Sequence, residues 1–255
     1  MRLFSTLSRT LQALLPSGPE SIHCIGDSHA SFFSGRERMQ PEWPKQSDDR
    51  WPFFRSYRLG PALAYNLCRT GTTSRSREKL LEVLHRRIRP GDRVLLCFGE
   101  IDCRAHLIRQ SQTRGESAGD LARECAERYF HVIEEINSLG FRAMVWNVVP
   151  PTTLMIDAGA FPVAGTFEER MDVTRCFNAC LVQRCRQAGV PFVSIFDALL
   201  DADGKPDHRW FLDRVHLGPQ AIALAVDAMA PFCPEIDFSS CIRRAEGVNP
   251  PRHAA

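Results

Sequence analysis

Five short apolar runs, near residues 22–26, 53–59, 93–98, 141–149 and 191–196, are separated by segments of helical spacing. That alternation is the strongest constraint on the fold. In the third run Val94, Leu95, Leu96, Cys97 and Phe98 are apolar one after another rather than at every second position, as expected of a strand covered on both faces. Between the runs, Leu80, Leu81, Leu84 and Ile88 recur at helical spacing before Pro90 and Gly91, and longer helical patterns cover about 117–138, 167–188 and 219–229. Smaller features are also legible: Pro61 opens a helix to about Cys68, Thr73 or Ser74 caps the helix that follows, and residues 150–166 form a loop. The pattern predicts an α/β domain whose five-stranded parallel sheet lies between two layers of helices. With no internal repeat and no convincing linker, one domain over residues 21–232 is expected, preceded by a helical extension (1–20) and followed by a loosely ordered tail (233–255).

Composition narrows the function classes. The chain has 255 residues, 32 basic and 30 acidic side chains and a formal charge of +2, too small an imbalance to argue for nucleic acid or an anionic membrane as partner. Residues 1–20 carry Arg2 and Arg9, no acid before Glu20, and amphipathic leucines, yet their longest apolar run is Ala13, Leu14 and Leu15. Neither a membrane span nor a secretory core fits that length, so a cytoplasmic protein is expected, with a packing helix preferred to a transit peptide. The 10 cysteines lie within apolar or helical patterns and read as reduced thiols. Cys176 and Cys180 could share a helix face, but no paired metal-ligand spacing accompanies them, so no metal or other cofactor is expected. The acidic turn at residues 201–205 lacks the continuation of a calcium loop.

The chemistry-bearing residues fall just after the apolar runs, where open α/β sheets place their ligands. The first run breaks at Gly26, and Asp27, Ser28 and His29 follow in a tight turn that would lift the Ser28 hydroxyl to the end of the strand. Nearly two hundred residues later, Asp213 and His216 stand three apart on one loop, an acid and an imidazole that together can deprotonate a serine. Gly60 places a glycine amide at a second strand-to-helix turn. The third run enters a dense polar cluster of Glu100, Asp102, Cys103, Arg104 and His106, and Asn147 ends the fourth. Cys103 is a second, weaker candidate nucleophile.

Gly26, Asp27, Ser28 and His29 near the amino terminus, with Asp213 and His216 near the carboxyl terminus of a five-strand α/β pattern, resemble the SGNH/GDSL hydrolase family over residues 20–230. The resemblance implies a flavodoxin-like three-layer α/β/α fold with an esterase-type site in which Ser28 is the nucleophile and Asp213 and His216 complete a triad. It also implies an oxyanion donor from a glycine amide, best matched by Gly60; Gly71 matches less well because it follows a helix. The third block departs from the family, which carries Gly-x-Asn-Asp where this chain has Gly99, Glu100, Ile101 and Asp102. Ile101 cannot donate to an oxyanion, a loss that typically slows such chemistry about 100- to 1000-fold. Arg104 is a candidate replacement, stabilising developing charge or holding an anionic substituent, with neutralisation of Glu100 and Asp102 as its alternative role. Asn147 is a second candidate donor, with a strand-end cap as its alternative.

The expected activity is hydrolysis of a small acyl ester, such as O-acetyl on a carbohydrate, through an acyl-enzyme on Ser28. Acyl transfer to a sugar hydroxyl uses the same groups. A non-catalytic glycan- or protein-binding module is favoured by the missing asparagine and by Glu100 and Asp102, whose charges would oppose an oxyanion, and is opposed by the intact Ser28, Asp213 and His216. A metal enzyme built on Glu100, Asp102, His106 and a cysteine is a third reading. Oligomeric state is left open.

Overall fold

The computed structural model describes residues 21–153 and 162–239. All five apolar runs form parallel strands: β1 (Ile22–Gly26), β2 (Phe54–Arg58), β3 (Arg93–Cys97), β4 (Arg142–Trp146) and β5 (Phe192–Val193), in the spatial order β2-β1-β3-β4-β5. The register of the three central strands pairs Gly26 with Cys97 and Val94 with Ala143. A Cβ on Gly26 would lie 2.2 Å from the Cys97 carbonyl oxygen, so only glycine lets the first strand end this close to the third.

Because successive side chains on a strand face opposite sides, the central strands feed two cores. Ile25, Val94, Leu96, Ala143 and Val145 enter one core, with the helices α1 (Ser76–Arg87), α3 (Ala118–Ser138) and α4 (Phe167–Ala188). Cys24, Leu95, Cys97, Met144 and Trp146 enter the other, with a 3-10 helix at Ser28–Ser34 and α5 (Ile222–Met229). Between β3 and α3 lies α2 (Leu107–Arg114). Thr166 and Glu169 form a reciprocal capping box at the start of α4, and Gly189 in the left-handed region closes it.

Several local expectations change. The helix expected from Pro61 to Cys68 is only a 3-10 turn at Ala64–Asn66, because the Asp102 carboxylate takes the Ala64 and Tyr65 amides. Neither Thr73 nor Ser74 caps α1; Arg75 occupies that position in the left-handed region, with no side-chain cap bond. The polar cluster after β3 is helical: a π-turn at Asp102–His106 runs into α2, burying Cys103, Leu107 and Ile108 on one side. The fifth run pairs over two residues only. Beyond it the Ile195 amide donates to the Asn147 side chain (3.0 Å), which stands in for a ladder carbonyl.

The first residues of the expected tail are packed, since Cys233 and Phe238 are buried in the second core and Phe238 meets Phe53 edge-on. The extension at 1–20 and the segment 240–255 lie outside the described residues, as do residues 154–161 of the expected loop. No helix among the described residues is long and apolar enough to cross a membrane.

Candidate active site

Local sequence sets up the turn that carries Ser28. Asp27 is the N-cap of the 3-10 helix, its Oδ1 accepting the His29 amide at 2.8 Å, so Ser28 is the first helical residue at the carboxyl edge of the sheet. On the other side of the site, Asp213 Oδ1 accepts the amides of Val215 and His216, both at 2.7 Å, which folds the last loop back on itself. Its Oδ2 accepts from His216 Nδ1 at 2.8 Å. With the proton held on Nδ1 by that carboxylate, Nε2 is an acceptor, and the Ser28 hydroxyl donates to it at 2.9 Å. Residues 188 positions apart thus form a continuous hydrogen-bonded chain from hydroxyl to carboxylate.

Burial pushes the Asp213 carboxyl up, but its bond to His216, the charge there and the two backbone amides outweigh this and hold it well below the usual carboxylate range. Asp213 therefore remains an anion able to support an imidazolium. A cleft of about 270 Å³ opens beside the pair, lined by Ser28, His216, Phe32, Met39 and Leu212, with Arg36 and Arg38 at its rim sharing the Asp48 carboxylate.

Gly60 is buried, with φ +91° in the region that favours glycine. The amides just before those of Ser28 and Gly60 belong to the sheet: Asp27 N–H donates to Cys97 O and Leu59 N–H to Gly26 O. Among the described residues neither the Ser28 nor the Gly60 amide has a hydrogen-bond partner, so both are available as donors.

The charged residues of the third block have partners of their own. Arg104 Nε donates to Glu100 Oε1 at 2.6 Å in a pair whose side chains are each 9% exposed, so its charge faces Glu100. Asp102 is fully buried beneath the Gly60 turn, accepting from Ala64 N–H at 2.7 Å and Tyr65 N–H at 3.2 Å. Burial pushes its carboxyl up to about 7 against the pull of those amides. Asn147 bridges β4 to the segment after β5 and donates to Val148 O at 2.9 Å. Glu100 and Asn147 also line a small cavity of about 190 Å³ with Asp27 and His29. Cys103 is buried, and burial, with Asp102 and Glu100 beside it, keeps its thiol well above the ordinary range and so protonated. No group of three or more metal-ligating side chains is assembled among the described residues.

Sequence reasoning places His29 in the turn after β1 and assigns it no role. It also missed the Val215 carbonyl that His29 faces at 3.3 Å. An imidazole directly after the serine, in a turn capped by an acid, was the available signal.

The profile of the GDSL-like lipase/acylhydrolase family matches residues 24–223. A candidate acylhydrolase from Bacteroides fragilis superposes with a TM-score of 0.53 at 12% identity, covering 94% of this chain and 96% of that one. A carbohydrate acetylesterase from Sinorhizobium meliloti does so with a TM-score of 0.52 at 15% identity, covering 84% of this chain and 98% of that one. At these identities the likeness is one of fold. No curated protein matches the chain in sequence.

Proposed function

The chain belongs to the GDSL-like lipase/acylhydrolase family and is a carboxylic ester hydrolase; on that premise we propose that it hydrolyses a small acyl ester through an acyl-enzyme on Ser28, with O-acetyl on a carbohydrate as the substrate class. The observation that carries the reading is the chain of bonds from the Ser28 hydroxyl to His216 (2.9 Å) and on to Asp213 (2.8 Å).

In this reading His216 Nε2 takes the Ser28 proton as Oγ attacks the ester carbonyl, and Asp213 supports the imidazolium that forms. The free amides of Ser28 and Gly60 receive the oxyanion. His216 then returns its proton to the leaving alkoxide, and the alcohol departs. In the second half His216 deprotonates water, which attacks the acyl carbonyl; collapse of that intermediate releases the acid and restores Ser28. Glu100 and Asp102 do not obstruct this chemistry, because one is paired with Arg104 and the other with backbone amides. The carbohydrate part is supported by a shared fold with the Sinorhizobium acetylesterase.

A fluorophosphonate probe tests the nucleophile without knowledge of the substrate. Wild type should label, while Ser28→Ala and His216→Ala should lose at least about 10⁴-fold in rate with folding intact. A well-folded wild type that does not label overturns the reading. Release of acetate from acetylated oligosaccharides, compared with longer-chain esters, then tests the substrate class.

A further inference from the structure

His29 is 7% exposed, and both of its ring nitrogens face acceptors. Nδ1 lies 3.1 Å from Asp27 Oδ1 and Nε2 lies 3.3 Å from the Val215 carbonyl oxygen. A neutral imidazole carries one N–H and can satisfy one acceptor; two acceptors call for the doubly protonated ring. Its surroundings accommodate that charge. Asp27 is fully buried, and its Oδ2, like Glu100 Oε2, has no hydrogen-bond partner among the described residues; both acids share the small cavity with His29. Burial alone would lower the His29 pKa, but the charge and hydrogen bond of Asp27, then Glu100 and the Val215 carbonyl, push it up to about 9.

Val215 belongs to the loop that carries the base. Its amide is tied inward to Asp213 Oδ1 and its carbonyl outward to His29. The His29 ring also packs against the His216 ring, with centroids 4.9 Å apart. We infer that His29 is a positioning residue: its imidazolium clamps the loop bearing Asp213 and His216 to the turn bearing Ser28, fixing the reach between base and nucleophile. This rests on the serine-esterase reading above. The clamp joins segments 186 residues apart, directly beside the Ser28 to His216 bond. Small misplacements of reacting groups weigh heavily there, a shift of 1 Å costing about 100-fold in rate.

The remaining titratable and charged groups around the ring set the pH at which it opens. Asp27 faces it from the end of β1, Cys97 and Glu100 from β3 and the turn after it, His216 from the last loop, and Arg36 and Arg38 line the same cleft from the segment after the 3-10 helix. The two acids hold the proton on His29. Above about pH 9 the ring loses it, one acceptor goes unmatched, and the loop loosens.

Two variants and one spectrum test this. In wild-type protein carrying ¹⁵N-histidine, both His29 ring nitrogens should be protonated at pH 7 and titrate near pH 9. His29→Leu, which has no donor, should slow fluorophosphonate labelling at pH 7 about 10- to 100-fold. His29→Gln, with an amide donor, should recover part of that loss. Wild-type labelling should fall above about pH 9, and both variants should lack that limb. A neutral His29 at pH 7, or variants that label at the wild-type rate with the same alkaline limb, would overturn the clamp. Should His29→Leu fail to fold, His29→Gln and the wild-type spectrum still decide. A wild type that never labels defeats the esterase reading instead; the clamp is then judged by the spectrum and by whether exchange of the Val215 and His216 amides accelerates above pH 9.

Discussion

The Ser28 turn and the third block are both dense in polar residues immediately after a strand, yet they are built in opposite ways. Around Ser28 the partners come from far along the chain, His216 and Val215, and the hydroxyl opens on a cleft. Around Glu100 the partner is four residues away on the same helical turn, Arg104, and the pair is enclosed. Asp102 is enclosed too, as an acceptor for backbone amides under the Gly60 turn. A polar group that finds its partner locally can be buried and used as scaffold. One whose partner arrives through the fold, at an edge open to solvent, is free to exchange that partner for a substrate.

The sharpest test of that difference is Asp213→Asn. Removing the charge while keeping the shape should lower esterase or labelling rates about 10⁴-fold, as loss of a triad acid does elsewhere. Because Asp213 is half exposed, thermal stability should change little. A large loss of stability with little loss of rate would place Asp213 with the scaffold instead.

The converse is expected of Arg104→Met. It leaves Glu100 buried without its cation, which should destabilise the fold by about 3–5 kcal/mol, measured by urea unfolding. Adding Glu100→Gln should recover much of that, with labelling per folded molecule near wild type. If rate falls far more than stability, Arg104 acts on substrate and the division between the two regions fails.

The smallest effect is in the pH dependence of stability. His29 has a folded pKa of about 9, above its ordinary value, so its contribution is complete below about pH 6.5 and is lost as pH rises through 9. Unfolding free energy should therefore fall by roughly 3 kcal/mol over that window. The raised Asp102 carboxyl acts in the same direction at lower pH, its contribution present below the ordinary carboxylate range and lost as pH rises through about 7. Denaturant titrations at pH 6.5 and 9 measure the His29 share, and His29→Gln should flatten the slope.

Sheet, layers and triad candidates were legible because each rests on a short-range signal. Continuous apolar runs name buried strands, and helical spacing over 167–188 that stops at Gly189 names α4. Gly26 with Asp27 and Ser28 names a tight turn, and Asp213 with His216 names a loop that can fold on itself. The helix beginning at Asp102 was missed because charged residues on its inner face broke the apolar period; their pairing with Glu100 and with the Ala64 and Tyr65 amides is what allows them inside. The failed helix after Pro61 has the same origin, since a carboxylate from another segment took the amides that a helix would have used.

By itself, then, the sequence determined the succession of strands and helices in an α/β domain and the residue types at its open edge, since local propensity and burial pattern are properties of neighbours in the chain. Only the tertiary structure decided which of those residues face the cleft. It gave Arg104 to Glu100, Asp102 to the Gly60 turn and Asn147 to Ile195, and set His29 against Val215, because a hydrogen bond goes to whichever partner the fold brings within about 3 Å, however distant in sequence.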